Sequence, residues 1–201
     1  MARTGDTRER LIQCGRELML ERGYTAVGIA ELCEKANVNK GSFYHAFPSK
    51  QDLALEVIDN FASDSASLFD DIVTGDGPPL ERIRRFYDAT YAHQRQRRKE
   101  CGRIEGCLLG GLAQEMSAQD PVLRKRLGEA FEWQLGRFER VIAEAVGRGD
   151  LPRLDARRAA RTLAALHQGA MLLAKTLNDP EPLARLGDDA LRLLGAPGAR
   201  R

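Results

Sequence analysis

The sequence predicts an all-α protein, with an N-terminal three-helix head that carries a helix-turn-helix and a larger helical domain behind it. Three observations lead there. Apolar residues recur at helical spacing over most of the chain, as at Leu11, Cys14 and Leu18 and again at Leu163, Leu166, Ala170, Leu173 and Leu177. The composition is 43% hydrophobic and 30% charged but only 6% aromatic, a balance dominated by good helix formers. Turn-forming residues fall between the periodic segments, and no β-rich stretch interrupts them.

Taken in order, residues 7–22 form a first helix, with Gly23 where a left-handed cap is usual. Ile29, Leu32, Cys33 and Ala36 outline a short second helix. Asn37 tolerates the left-handed turn after it, and the pattern restarts over residues 38–44. Pro48 stops that third helix and Ser49 caps the next, whose Leu53, Val57, Ile58 and Phe61 mark a longer amphipathic rod. Residues 74–79, TGDGPP, read as a loop. Helical spacing then runs from Leu80 to about Gln94, breaks in the basic stretch 95–103, and restarts near Gly106. It continues past Pro121, well suited to a first turn behind Asp120, to about Gly147. Asp155 opens another long helix that closes at Asn178, and a last one spans about residues 182–194.

Composition also excludes functions. No apolar run approaches the ~20 residues needed to cross a bilayer, and the start MARTGDTRERLIQ lacks the apolar core of a secretion signal, so a cytoplasmic protein without membrane contact is expected. Cys14, Cys33, Cys101 and Cys107 are then expected as free thiols. Cys101, Cys107 and the scattered His45, His93 and His167 do not form a recognisable tetrahedral set, so no metal is expected. Without a phosphate loop, a cofactor fingerprint or a base-orienting arrangement, neither catalytic residues nor a cofactor are expected, and the chain is not read as an enzyme. Net charge is only +2, so a nucleic-acid reading must rest on where the cations cluster.

They cluster in one informative place. Between Asn37 and Lys50 there are Lys40, His45 and Lys50 but no Asp or Glu, so this segment can approach phosphates without like-charge repulsion. Asn39, Lys40 and Ser42 stand at the N-terminal end of the third helix, the end that presents side chains to base edges. Tyr44, His45 and Lys50 carry donors suited to phosphate oxygens. Phe43 and Phe47 are expected inside, anchoring the head. The span 23–53, GYTAVGIAELCEKANVNKGSFYHAFPSKQDL, resembles the N-terminal signature of the TetR family of repressors. It departs from that pattern at Gly28, where Ser or Thr commonly caps, and at Asn37, where Gly commonly turns. The resemblance implies a helix-turn-helix DNA-binding domain over residues 1–50, a helical sensor and dimerisation domain over residues 51–201, and a repressor that grips double-stranded operator DNA as a homodimer.

The stretch 101–115, CGRIEGCLLGGLAQE, followed by Asp120 and Pro121, resembles a TetR subgroup of electrophile- and oxidant-sensing repressors of reductase operons. A helix starting near Gly106 places Cys107 in its first turn, where free amides and the helix dipole favour thiolate. Oxidation to sulfenic acid, or alkylation by a quinone or aldehyde, would then report an electrophile inducer. Lys175 matches a lysine position of those relatives, and the resemblance implies that it supports the thiolate or traps oxidised sulfur. The ordinary alternatives are a buried small hydrophobe for Cys107 and a solvated helix-end cation for Lys175. Phe86, Tyr91, His93, Trp133, His167 and Met171 are candidates to line a small-molecule pocket, against the competing role of ordinary core. The last two helices carry leucine stripes, Leu163 to Leu177 and Leu183, Leu186, Leu191 and Leu194, and the family resemblance implies a four-helix dimer interface there. Reversible binding of an organic inducer is the alternative to covalent sensing. From other classes, a helical protein-interaction adaptor and an enzyme are the alternatives.

Overall fold

The computed structural model describes residues 4–196, and every regular element among them is helical. The order is α1 (Thr4–Arg22), α2 (Ile29–Lys35), α3 (Lys40–Ala46), α4 (Lys50–Thr74), α5 (Pro79–Cys101), α6 (Leu108–Met116), α7 (Pro121–Arg148), α8 (Ala156–Leu177), a 3-10 turn (Glu181–Leu183) and α9 (Leu186–Leu193). No helix among the described residues is long and apolar enough to cross a membrane. The all-α expectation therefore holds.

Contacts group the chain into two compact units: Met1–Asp64 with Cys107–Ala130, and Ser65–Gly106 with Phe131–Arg201. Two of the three divisions fall inside α4 and α7, and the third falls between α5 and α6. Compactness and motif thus part the chain at different places. A boundary at residue 50 isolates the contiguous helix-turn-helix, whereas packing adds the first part of α4, α6 and the start of α7 to the same unit.

In the first unit each short helix is set by its ends. Gly23 takes φ +81°, and its N–H donates to the Met19 carbonyl at 2.9 Å, closing α1. Asn37, at φ 52°, makes the turn after α2, and Arg10 from α1 donates to the Ala36 carbonyl at 3.0 Å across that turn. The third helix begins at Lys40 rather than Val38, because Asn39 keeps an extended backbone and its Oδ1 accepts the Ser42 N–H at 2.7 Å. Ser49 and Asp52 cap α4 reciprocally: the Asp52 N–H donates to Ser49 Oγ at 3.2 Å, and the Ser49 hydroxyl to the Asp52 carboxylate at 2.7 Å. Leu11, Leu32, Phe43, Phe47, Leu53, Val57 and Ile58 fill the core. Each large apolar side chain so buried contributes about 1.5–3 kcal/mol.

The second unit corrects two expectations. α5 does not break after Gln94 but runs on to Cys101, with Arg97 and Gln96 both paired to Glu100 at 2.7 Å. Arg, Gln, Lys and Glu are good helix formers, so the missing apolar stripe marked a solvated turn, not a break. The predicted last helix is a 3-10 turn followed by α9, interrupted at Arg185 (φ −124°, ψ 17°), and Gly187 lies close against the Arg84 backbone. Asp155 caps α8 by accepting the Arg158 N–H at 3.0 Å, and Asn178, at φ 49°, ends it.

The leucine stripes need the same refinement. Leu163, Ala170, Leu183, Leu186, Leu191 and Leu194 are buried within the unit, whereas Leu172, Leu173, Leu177 and Leu193 are 49–63% exposed. Helical spacing therefore mixed two faces: Leu163 and Ala170 of the first stripe point inward, whereas Leu173 and Leu177 of the same stripe are exposed.

Candidate nucleic-acid interface and sensing residues

Helix α3 has two faces of opposite character. Phe43 is fully buried and Phe47 nearly so, their ring centroids 6.2 Å apart, and together they fix the helix on the head core. Asn39, Lys40, Gly41, Tyr44 and His45 are exposed and Ser42 is half-buried. Tyr44, 55% exposed, stands edge-on to Phe43 with centroids 5.4 Å apart, so the buried ring orients the exposed phenol. The outer face therefore presents a hydroxyl, an imidazole and an ammonium with no carboxylate among them.

Two of the sequence candidates have structural work. Asn39 spends its side-chain oxygen on the α3 cap, so the amide nitrogen is what it offers outward. Lys50 was expected to meet phosphate. Its ammonium instead donates to the carbonyls of Tyr24 at 3.1 Å and Val27 at 2.9 Å, and lies 4.1 Å from the centre of the Tyr24 ring. Burial pulls its pKa below the ordinary lysine value, against the opposing pull of Glu115. The turn between α1 and α2 is thus held by Lys50 from within the chain.

Glu115 completes that hold, and sequence reading missed it. Its carboxylate accepts the backbone N–H of Tyr24 and of Thr25, both at 2.7 Å. Burial acts to raise its pKa, but those donors, the Thr25 side chain and Lys50 outweigh it and hold the carboxyl below its ordinary value. A side chain at Gly23 would run into this carboxylate, so the glycine serves both its left-handed backbone and the close approach. The available signal was that Glu115 is the single charged residue of LLGGLAQEM.

Cys107 lies at the other end of α6. It is the N-cap residue, not a member of the first turn, because Gly106 takes φ +78° and cannot begin a helix. The thiol is half-buried. The segment before it is pinned by two amide side chains. Gln94 accepts the N–H groups of Glu105 and Gly106 at 3.1 Å and donates to the Gly106 carbonyl at 3.2 Å. Asn178 accepts the Ile104 N–H at 2.9 Å and donates to the Gly102 carbonyl at 3.1 Å. Lys175, in the last turn of α8, lays its stem over Gly106, where an added Cβ would come within 2.9 Å of its Cδ.

Of the pocket candidates, Phe86 and His167 meet directly, with ring centroids 5.2 Å apart, and Trp133 joins them through Phe69. Met171 is buried, Tyr91 half-buried and His93 exposed. His93 is therefore a surface residue and not part of this cluster. No group of three or more metal-ligating side chains occurs among the described residues.

Comparison with known proteins accords with this geometry. Residues 11–57 match the family described as "Bacterial regulatory proteins, tetR family", and residues 79–188 match "Tetracyclin repressor-like, C-terminal domain". The chain is 33% identical over 189 residues to the HTH-type transcriptional repressor DhaR of Mycobacterium sp. (strain GP1), covering 91% of this chain and 89% of that protein. It is 35% identical over 177 residues to the transcriptional regulator AcuR of Cereibacter sphaeroides, covering 87% and 79%. The crystal structure of reduced Escherichia coli NemR superimposes with a TM-score of 0.85 at 28% identity, covering 96% of this chain and 99% of that one. With the helix-turn-helix, the helical C-terminal half and full-length relatives in agreement, this chain belongs to the TetR family of bacterial transcriptional regulators.

Proposed function

We propose that the protein is a cytoplasmic, homodimeric repressor that binds operator DNA through α3 and leaves it when a small chemical signal arrives. One observation carries the DNA reading: the acid-free outer face of α3, bearing Asn39, Lys40, Tyr44 and His45, is held on the buried Phe43 and Phe47. Asn39, Lys40 and Ser42 read base edges, and Tyr44 and His45 position the helix on phosphates. Residues 1–50 carry this activity and residues 51–201 carry sensing and dimerisation. The exposed Leu172, Leu173, Leu177 and Leu193 support pairing of α8 and α9 with a second copy, which would remove them from water.

The test is a gel-shift titration of the purified protein with duplex from its own promoter. Retarded complexes that weaken as salt rises are expected. An intact, helical protein that ignores that duplex even in dilute buffer contradicts the reading.

Cys107 is the residue through which an electrophile is sensed in this reading. Support comes from its half-exposed thiol at the start of α6, the helix whose far end bears Glu115 on the α1–α2 turn. Addition of the sulfur to a quinone ring carbon, with the thiol proton passing to the reduced quinone, adds bulk at this cap. Lys175, stacked over the preceding Gly106, is the cation that assists. Cys107→Ser is expected to bind operator normally and to resist release by a quinone. Normal release from that variant removes the cysteine from the mechanism.

A further inference from the structure

The segment that reads DNA is held at both of its ends by one corner from later in the chain. That corner is the tight turn between α6 and α7, where the Asp120 N–H donates to the Met116 carbonyl at 2.8 Å, and it belongs to the same compact unit as the helix-turn-helix. On one side of the corner Glu115 binds the α1–α2 turn with both carboxylate oxygens, Oε2 accepting the Tyr24 N–H and Oε1 the Thr25 N–H. On the other side Asp120 acts twice. Its Oδ1 accepts the Val122 and Leu123 N–H groups at 2.9 and 3.0 Å, which caps α7, and its Oδ2 accepts the side-chain amide of Gln51, in the first turn of α4, at 2.6 Å. The Leu123 amide foremost, with Gln51 and the Val122 amide, holds the Asp120 carboxyl below its ordinary value against burial. Both carboxylates of the corner are therefore ionised at neutral pH.

The two grips bracket the helix-turn-helix. Tyr24 and Thr25 precede α2, Gln51 follows α3, and α2, the Asn37 turn and α3 all lie between them. One contact alone would leave that segment free to pivot, whereas two contacts to one short turn fix its angle. Both are hydrogen bonds to a charged acceptor, roughly twice as strong as neutral ones. Closing the helices of the head calls for neither, because Gly23 already ends α1 on the Met19 carbonyl and Ser49 and Asp52 already cap α4. The grips reach instead across 90–91 and 69 residues of sequence. A recognition helix needs an angle as well as a fold, since the side chains at its N-terminal end reach base edges only when it enters the groove in the right attitude.

We propose that Glu115 and Asp120 form a two-point clamp that sets the attitude of α3, which makes Glu115 and Gln51 positioning residues for operator recognition without touching DNA. The clamp acts on sequence discrimination. Attraction between cations and phosphates tolerates a tilted helix because it is not directional, whereas hydrogen bonds to base edges do not tolerate one. The inference rests on the reading of α3 as the helix that meets DNA, and adds to it residues that govern that helix from outside.

Discrimination is read as the ratio of affinities of the full-length protein for duplex from its own promoter and for an unrelated duplex of equal length, well below the melting temperature. Glu115→Gln turns one accepting oxygen into a donor that faces an N–H, and Gln51→Ala removes the grip on α4. Each is expected to lower promoter affinity about tenfold, the factor of one hydrogen bond to a charged group, and to leave affinity for the unrelated duplex unchanged. Asp155→Ala, which removes the α8 cap, is the control for stability alone and should melt earlier with the ratio intact. A merely structural clamp predicts that same outcome, earlier melting at the wild-type ratio, for Glu115→Gln and Gln51→Ala. That result overturns the proposal, as does a ratio that falls equally in Asp155→Ala. If Glu115→Gln fails to fold, Gln51→Ala, whose side chain is only half-buried, decides alone. A wild type that does not distinguish the two duplexes removes the DNA reading itself, whereas a discriminating wild type with variants that match it removes the clamp and leaves that reading standing.

Discussion

In the head, polar side chains at the α1–α2 turn and at the start of α3 are used up internally. Lys50 closes on two carbonyls, Glu115 on two amides, and Asn39 on the first turn of α3. In the second unit the aromatic cluster leaves His167 Nδ1 unsatisfied. The two regions therefore differ in how completely their buried polar groups are bonded. Where internal bonding is complete, the polar groups left facing outward, on α3, mark the interaction surface. Where it is incomplete, the unsatisfied imidazole is a cost to the fold that acid should expose.

The largest effect that sharpens this contrast comes from the head core. Phe43→Ala removes the fully buried ring beneath the α3 surface and should cost about 3–5 kcal/mol. Thermal melting followed by circular dichroism is expected to fall steeply, with operator binding lost together with the fold. A variant that melts like the wild type would show that the outer face is not supported from below.

Next in size is an acid effect centred on His167. Its folded pKa, about 4, lies below the ordinary 6.5, so the unfolded chain takes up the proton first. The stability associated with the neutral ring is complete above pH 6.5 and is lost as pH falls from 6.5 towards 4, by up to about 3 kcal/mol. Urea unfolding of wild type and His167→Phe at pH 7 and pH 4.5 checks it. The variant should lose less stability on acidification, and equal losses would remove His167 as the cause.

Glu115→Ala leaves the Tyr24 and Thr25 amides without their shared acceptor, at about 1–2 kcal/mol for partly hydrated groups. Amide exchange of the α1–α2 turn should accelerate while the α5 and α8 amides keep their protection. Asn39→Ala is smaller, about 1 kcal/mol for one lost N-cap, and should appear as a modest drop in melting temperature.

Much of the head was legible because local chemistry decides it. Gly23, Asn37, Pro48 and Ser49 carry their turn and cap geometry in the residue type itself, and the structure uses all four at or beside helix ends. Asn39 shows the limit: the same side chain serves a cap or a base edge, and only the backbone at that residue decides which use its oxygen has. Lys50 and Glu115 were not legible because their partners are backbone atoms 23–26 and 90–91 residues away. In the second unit, helical spacing identified Leu163 and Leu191 as an apolar stripe but could not say that their own core, not a partner, covers them. Phe86 and His167 were picked out together on composition, and His93 with them, although three-dimensional packing turns His93 to solvent.

The central claim is that exposed α3 side chains meet DNA while Lys50 serves the fold, and operator affinity across a salt series tests it most directly. Three proteins are needed: the wild type, Lys40→Ala and Lys50→Ala. Lys40→Ala is expected to lose about tenfold or more in promoter affinity and to show a shallower salt slope at unchanged melting temperature. Lys50→Ala is expected to melt earlier while keeping the wild-type slope. Wild-type affinity and slope in Lys40→Ala, with the slope reduced in Lys50→Ala instead, would contradict the account.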